Sequence, residues 1–157
     1  MTPTALTIRT AREGDAHRLV EILSAGALGS PEDSRQIDDY VSAIREIEAA
    51  PGSELLVAEF DGLVVGTCQL IMFRHLQHRG GRCAEIESMH VVESHRSRGV
   101  GSALLDAAIS RARQAGCYRV QLTSNKVRGD AHRFYRRHGF VASHEGFKLL
   151  LGDQPAS

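Results

Sequence analysis

The sequence has few cysteines, no net charge and no long apolar run. Its three cysteines, Cys68, Cys83 and Cys117, are odd in number and show no C-x-x-C spacing, which argues against a disulfide framework or a zinc site. Nineteen basic and nineteen acidic residues cancel, so no global field attracts nucleic acid or an anionic membrane. No apolar run approaches the roughly 20 residues of a membrane span. We therefore expect a cytoplasmic protein with reduced thiols, no metal, and no nucleic-acid or membrane partner.

The chain of 157 residues lies within the usual range of one domain, about 100–200 residues, so we expect a single domain over 1–157 with 152–157 as a tail. Strand and helix patterns alternate along it. The predicted strands are Leu6–Thr10, Glu54–Phe60, Leu63–Phe73, Glu85–Val92 and Tyr118–Ser124, followed by a hairpin over Val141–Leu151. The predicted helices are Ala16–Ala25 with an Asp15 cap, Ser34–Ala50, Gly99–Ala115, and a short helix from an Asp130 cap to Gly139. Asp61-Gly62 predicts a tight hairpin turn.

The loop before the third helix is the strongest candidate for a binding site. Two glycines, Gly99 and Gly101, stand where the helix begins, and two arginines, Arg96 and Arg98, precede it. Glycine allows close approach to the backbone, and the N–H groups of a first helical turn favour an anion. We expect a pyrophosphate to bind here, with contacts from Arg96, Ser97, Arg98, Gly99, Val100, Gly101 and Ser102.

The R-x-x-G-x-G spacing of Arg96, Gly99 and Gly101, after a hydrophobic strand, resembles the acyl-CoA signature of the GNAT superfamily of N-acetyltransferases. The later residues Phe134-Tyr135 and Gly139-Phe140 resemble a second element of that superfamily. The resemblance implies an α/β fold with a mixed, mostly antiparallel sheet of six to seven strands, flanking helices and splayed parallel central strands. It also implies acetyl-CoA as co-substrate and a primary amine as acceptor.

The strand before the loop carries the candidate base. On a strand without a bulge, Glu85, Glu87, Met89 and Val91 share one face. A carboxylate there is suited to take a proton from an ammonium group, and the alternative is an edge carboxylate in an ion pair. In the superfamily the matching base is Glu87, whereas the aminoalkylphosphonate acetyltransferases, which the C-terminal half also resembles, match Glu85. The resemblance further implies that Met89 and Val91 bind pantetheine through their backbones.

The second element supplies the remaining CoA residues that the resemblance implies. Tyr135 matches the tyrosine that protonates the departing thiolate, and the alternative is a buried aromatic side chain. The asparagine usual in the superfamily is replaced here by Arg128, so we assign the pantetheine contact to Asn125. Phe134 and Arg137 complete the set. Phe134 is expected to pack in the core, and Arg137 is expected to lie beside the adenosine phosphates.

The acceptor side is less defined. Tyr40, His75 and His144 are the candidate acceptor residues, and each has an alternative as an ordinary packed or surface side chain. The breaker-rich segment 26–33 is expected to border the acceptor pocket. The proteins that this chain resembles favour a small amine as the acceptor. The alternatives are a protein or peptide amine as the acceptor, or a non-catalytic acyl-CoA sensor or scaffold. Similar proteins also form homodimers through their C-terminal strands.

Overall fold

The computed structural model describes residues 5–25 and 37–152, which lie in two compact units, Met1–Gln121 and Leu122–Ser157. The first unit holds a five-stranded sheet in the order β1-β2-β3-β4-β5. Its strands are β1 (Leu6–Thr10), β2 (Ser53–Phe60), β3 (Leu63–Arg74), β4 (Arg82–Val91) and β5 (Cys117–Leu122), the last of which ends at the unit boundary. Among the described residues, its helices longer than four residues are α1 (Ala16–Ser24), α2 (Ile37–Ala49) and α3 (Val100–Gln114). The second unit holds helix α4 (Gly129–Arg137).

The first four strands are antiparallel neighbours, so the predicted α/β class with a mostly antiparallel sheet is confirmed. Asp61 and Gly62 both have positive φ, 51° and 82°, as the predicted hairpin turn requires. Strand β5 lies next to β4, and its contacts advance in the same direction on both strands, from Cys83 with Arg119 to Glu85 with Gln121. The two strands are therefore parallel.

Each face of the sheet is covered by helices. Helices α1 and α2 cover the face that carries Leu55, Val57 and Val64. Helix α3 packs on β2, β3 and β4, and its Arg111 binds Glu54, which belongs to the opposite face. The buried side chains of α3 are Val100, Leu104, Leu105, Ala108 and Ala112. Among the residues described, no helix combines the length and apolar character that a membrane span requires.

Gly66 of β3 explains how α3 comes so close to the sheet. A methyl group at this position would lie 3.1 Å from the backbone oxygen of His90, 3.1 Å from Leu104 Cδ1 and 3.2 Å from Val100 Cγ1. Any side chain would push against both β4 and α3. The absence of one lets the start of α3 rest directly on the strand.

The two predicted aspartate caps have different outcomes. Asp15 is the N-cap residue of α1, as predicted, but its side chain makes no capping hydrogen bond. Its carboxylate instead accepts a hydrogen bond from the Arg12 N–H and pairs with both terminal nitrogens of Arg9 at 2.8 and 3.0 Å. Asp130 lies inside the first turn of α4, after the cap residue Arg128, and pairs with Arg133. In both places a nearby arginine binds the carboxylate that the sequence pattern assigns to a helix end.

The predicted C-terminal hairpin is also wrong. Residues 140–152 form no strand, and Val141, Phe147, Leu149 and Leu151 are each more than four fifths exposed. The described residues therefore form five strands rather than six or seven. An alternating apolar pattern becomes a strand only when a neighbouring strand supplies the hydrogen bonds, and an isolated hairpin has little stability of its own.

Candidate active site

The loop between β4 and α3 is exposed from Arg96 to Gly99, while Val100 is buried and begins α3. Gly99 has a φ of 80°, in the left-handed region that glycine adopts without strain, and Ser97 also has a positive φ of 58°. These conformations turn the chain sharply into the helix. Because first-turn N–H groups have no acceptor inside a helix, the donors at this end face outward, as an anion site requires.

The two loop arginines are held by contacts other than ion pairs. Arg96 donates from Nε to the backbone oxygen of Val91 at 3.2 Å. The Arg98 guanidinium lies over the Phe60 ring, 4.5 Å from its centre, and the His95 ring packs edge-on against Phe60 at 5.1 Å. Both arginine side chains are exposed, so an anionic ligand can reach them. An exposed helix start beside two exposed guanidinium groups can accommodate a pyrophosphate.

Strand β4 carries a bulge at the place where the sequence predicts unbroken alternation. Thr67 pairs with His90 and Gln69 pairs with Glu87, so one residue of β3, Cys68, faces two of β4, Ser88 and Met89. Ser88 has a φ of 51°, the positive value of a bulge position. Ser88 and Met89 therefore lie where the regular ladder between β3 and β4 is interrupted.

The bulge changes which side chains share a face. Directly paired residues lie on the same face, so Glu85, Glu87 and His90 lie together with Leu55 and Val57, on the α1 and α2 side. Val91 pairs with Gly66 and belongs to the α3 side. The expectation that Val91 shares a face with the two glutamates is wrong, because one extra residue reverses the alternation. His90 takes its place, and sequence spacing gave no sign of it.

The two candidate bases differ in their surroundings. Glu85 is partly buried and accepts a hydrogen bond at Oε2 from Nε2 of Gln121 at 3.0 Å. Glu87, two residues further along, is exposed. The same face holds Cys83, whose Sγ accepts a hydrogen bond from Arg119 Nε at 3.2 Å. That hydrogen bond raises the pKa of the Arg119 guanidinium, which stays a donor.

His75 lies at the end of the sheet where β4 begins. Its Nε2 is 2.7 Å from the hydroxyl oxygen of Tyr118, and the two rings are stacked. The centre of the His78 ring lies 4.2 Å from that of the Tyr118 ring, and His78 and Arg79 both have positive φ. Glu85 is three residues beyond the start of β4 at Arg82, a distance of about 10 Å along the strand.

Within the part of the chain that the structure describes, no three His, Cys, Asp or Glu side chains gather as a metal site.

In the second unit, Tyr135 packs edge-on against Phe134 and Phe140, with ring centres 5.2 and 5.8 Å away. Asn125 accepts the Val127 N–H at Oδ1, and its backbone oxygen contacts His132 Nε2 at 2.9 Å. The Asn125 side chain thus holds a turn before α4. These contacts leave the proposed CoA roles of Tyr135, Phe134 and Asn125 as predictions.

The other predicted residues are surface or partly buried. Arg137 is exposed near the end of α4, and His144 is exposed with its Nδ1 2.7 Å from Ser143 Oγ. Tyr40 is partly buried on α2. The loop 26–33, expected beside the acceptor pocket, lies outside the described residues. Gln121 and His90 are the side chains near the glutamates that sequence reasoning missed.

The chain is similar to known acetyltransferases in sequence. The sequence model of the acetyltransferase (GNAT) family matches residues 17–140. The aminoalkylphosphonate N-acetyltransferase of Salmonella typhimurium (strain LT2) is 40% identical over 101 residues, which are 64% of this chain and 65% of that protein. The chain thus matches just under two thirds of the length of this relative.

Solved structures extend the likeness over nearly the whole chain. A protein from Bacillus halodurans C-125, described as a transcriptional regulator, is 38% identical with a TM-score of 0.88, over 94% of this chain and 100% of that one. A putative acetyltransferase from Agrobacterium tumefaciens str. C58 is 30% identical with a TM-score of 0.83, over 92% and 99% of the two chains.

Proposed function

Because the chain belongs to the acetyltransferase (GNAT) family, we propose that it transfers an acetyl group from acetyl-CoA to a primary amine of a small molecule. The observation that carries the proposal is the pairing of an anion-binding helix start with two carboxylates on the strand that leads into it. Both belong to the first unit, where β4 runs through Glu85 and Glu87 to the loop at Arg96–Gly101.

The donor binds first at the loop. The N–H groups at the start of α3 and the exposed guanidinium groups of Arg96 and Arg98 hold the pyrophosphate by charge-assisted hydrogen bonds. The pantetheine arm then follows β4 toward the bulge, where the backbone at Met89 binds it as an added strand would. The thioester carbonyl is polarised by backbone N–H groups at the interrupted ladder.

Transfer occurs directly between the two bound substrates. A carboxylate of β4, Glu85 or Glu87, removes a proton from the ammonium of the acceptor, and the neutral nitrogen attacks the thioester carbon. The C–N bond forms, the C–S bond breaks, and the nitrogen releases its second proton to water. Protonation of the departing thiolate is the role that the sequence assigns to Tyr135, which regains its proton from water. General acid–base assistance of this kind contributes about 10²–10⁴-fold each. No cysteine nucleophile is required.

The acceptor is proposed to be a small amine that carries an anionic group. The Salmonella relative is named for aminoalkylphosphonates. In this chain the stretch from Gly62 to Ala84 contains Arg74, Arg79 and Arg82 but no acidic residue, so the end of the sheet next to the start of β4 is cationic. Such a surface favours a phosphonate or phosphate group over a second amine.

The test is release of CoA thiol from acetyl-CoA, measured against aminoalkylphosphonates, polyamines, amino sugars, amino acids and short peptides. We expect release that depends on the amine and is greatest for the aminoalkylphosphonates. A control reaction without the amine corrects for the thiol signal of the protein's own cysteines. Thiol release only with peptides would indicate a protein acceptor. CoA binding without thiol release in the presence of any amine would favour a non-catalytic sensor.

The roles of the side chains follow from matched variants in the same assay. Glu85→Gln and Glu87→Gln each remove one carboxylate with little change in shape, and the base is the residue whose loss lowers kcat more. Tyr135→Phe is expected to lower kcat and to leave the Kd for CoA nearly unchanged. Unchanged kcat in that variant would exclude Tyr135 as the acid. The homodimer, the cytoplasmic location and the single domain stay predictions of the sequence.

A further inference from the structure

A row of hydrogen bonds links β5 to Glu85. Arg119 donates from Nε to Cys83 Sγ at 3.2 Å, and the Cys83 thiol donates to Gln121 Oε1 at 3.5 Å. Gln121 in turn donates from Nε2 to Glu85 Oε2 at 3.0 Å. All four side chains belong to the first unit, and the row ends on one of the two candidate bases.

The chemistry of the groups fixes the direction of this row. An ionised carboxylate only accepts hydrogen bonds, so the Gln121 amide must turn its NH₂ group toward Glu85. Its oxygen then faces Cys83, whose thiol is a donor, and the other acceptor near that thiol, the Ala84 backbone oxygen, is farther away at 3.7 Å. Cys83 has 0% exposure, so its sulfur is held in place by packing. A flipped amide would put oxygen against carboxylate.

We propose that Gln121 is a positioning residue that holds the Glu85 carboxylate ready to act as the general base, with Cys83 fixing the orientation of the amide. The inference rests on the proposed acetyl transfer. Gln121 occupies Oε2 of Glu85, which leaves Oε1 for the acceptor ammonium. The side chain of the base is then ordered before the substrate arrives. This ordering matters because a small displacement of a catalytic group lowers the reaction rate strongly. Glu85, rather than Glu87, is the base.

The first test needs no turnover. In the full chain labelled with ¹⁵N, the side-chain amide of Gln121 gives its own NMR signals, assigned by their loss in Gln121→Met. Glu85→Gln should shift these signals strongly, because it replaces the carboxylate acceptor, and Glu87→Gln should leave them nearly in place. Equal shifts in the two variants would overturn the contact on which the inference depends.

The second test is kinetic, with saturating acetyl-CoA and the best amine of the panel. Gln121→Met keeps the length of the side chain and removes both hydrogen bonds, and we expect kcat to fall by about 10–10²-fold with the KM for acetyl-CoA nearly unchanged. In the Glu85→Gln background the same substitution should cause no further loss, whereas in the Glu87→Gln background the loss should remain complete.

A control substitution lies on the neighbouring strand. Gln69→Met makes the same chemical change at the β3 residue paired with Glu87, so a larger loss there than at Gln121 would identify Glu87 as the base and overturn the inference. If Gln121→Met fails to fold, as judged by circular dichroism and CoA binding, Gln121→Ala replaces it. A kcat within twofold of wild type, or a loss that persists in full without Glu85, contradicts the positioning role. An inactive wild-type protein with the NMR contact intact would refute the proposed transfer itself.

Discussion

Replacement of Gly66 by alanine tests how α3 is seated on the sheet. The added methyl group would lie 3.1–3.2 Å from three atoms that belong to two different elements, His90 O on β4 and side-chain carbons of Leu104 and Val100 on α3. The two side-chain carbons can move by a few tenths of an ångström, but the backbone oxygen is fixed by the sheet. The methyl group therefore pushes α3 outward rather than β4.

The expected cost follows from overpacking a close-packed core, which destabilises by about 1–3 kcal/mol. Urea unfolding of Gly66→Ala should show a lower midpoint with an unchanged slope. Val100 is the first residue of α3, next to Gly99 of the loop, so the same displacement should also weaken CoA binding.

Gly14→Ala is the matched control, because the same methyl group there would meet nothing within 4 Å. At such a site the substitution is expected to be neutral or to stabilise by up to about 1 kcal/mol, through the unfolded chain. Gly66→Ala in a Leu104→Val background should cost less than in wild type, since the Cδ1 contact is gone. Equal stability of Gly66→Ala and Gly14→Ala would refute the close seating of α3.

Three further predictions concern the loop, an ion pair and the thiols. Gly99→Asp should abolish CoA binding in calorimetry, because it puts a side chain and a negative charge at a left-handed position of the anion site; an unchanged Kd would exclude the site. The Arg9 side chain holds the pKa of Asp15 below its usual range. The contribution of this ion pair to folding stability is therefore present above about pH 4 and is lost as the pH falls further. Asp15→Asn should therefore cost about 1–2 kcal/mol in urea unfolding at pH 7, and the difference from wild type should shrink below pH 4; a constant difference would contradict the ion pair. Burial raises the pKa of the Cys68 thiol to about 12, so a thiol reagent at pH 8 should modify the partly exposed Cys117 first, and labelling of Cys68 at a similar rate in the folded protein would contradict its burial.

Several parts of the fold and of the site were predictable because their signals are local. The turn at Asp61 and Gly62 depends on the φ values of those two residues alone. The loop from Arg96 to Gly101 depends on where a helix begins, and α3 runs over Val100–Gln114 within the predicted Gly99–Ala115. Each of these features is decided by residues a few positions apart, which the sequence displays directly.

Capping and strand formation at the chain ends were not predictable in the same way. Asp15 was expected to cap α1, but Arg9, on the adjacent strand, binds its carboxylate at 2.8 Å. The apolar alternation over Val141–Leu151 was expected to form a hairpin, but no strand forms there. In both cases the outcome depends on a competing or missing partner elsewhere, and a local pattern contains no information about that partner.

The sequence by itself determined the helix start that favours an anion, the two carboxylates on the strand before it, and the α/β class. Tertiary structure alone decided how these parts face one another. The bulge at Ser88 reverses the alternation of β4, so that His90 joins the glutamates and Val91 turns to the other face. The parallel alignment of β5 then brings Gln121 to Glu85, 36 residues away in the chain. Register between strands is set by hydrogen bonds and packing across the sheet, and only the folded chain contains them.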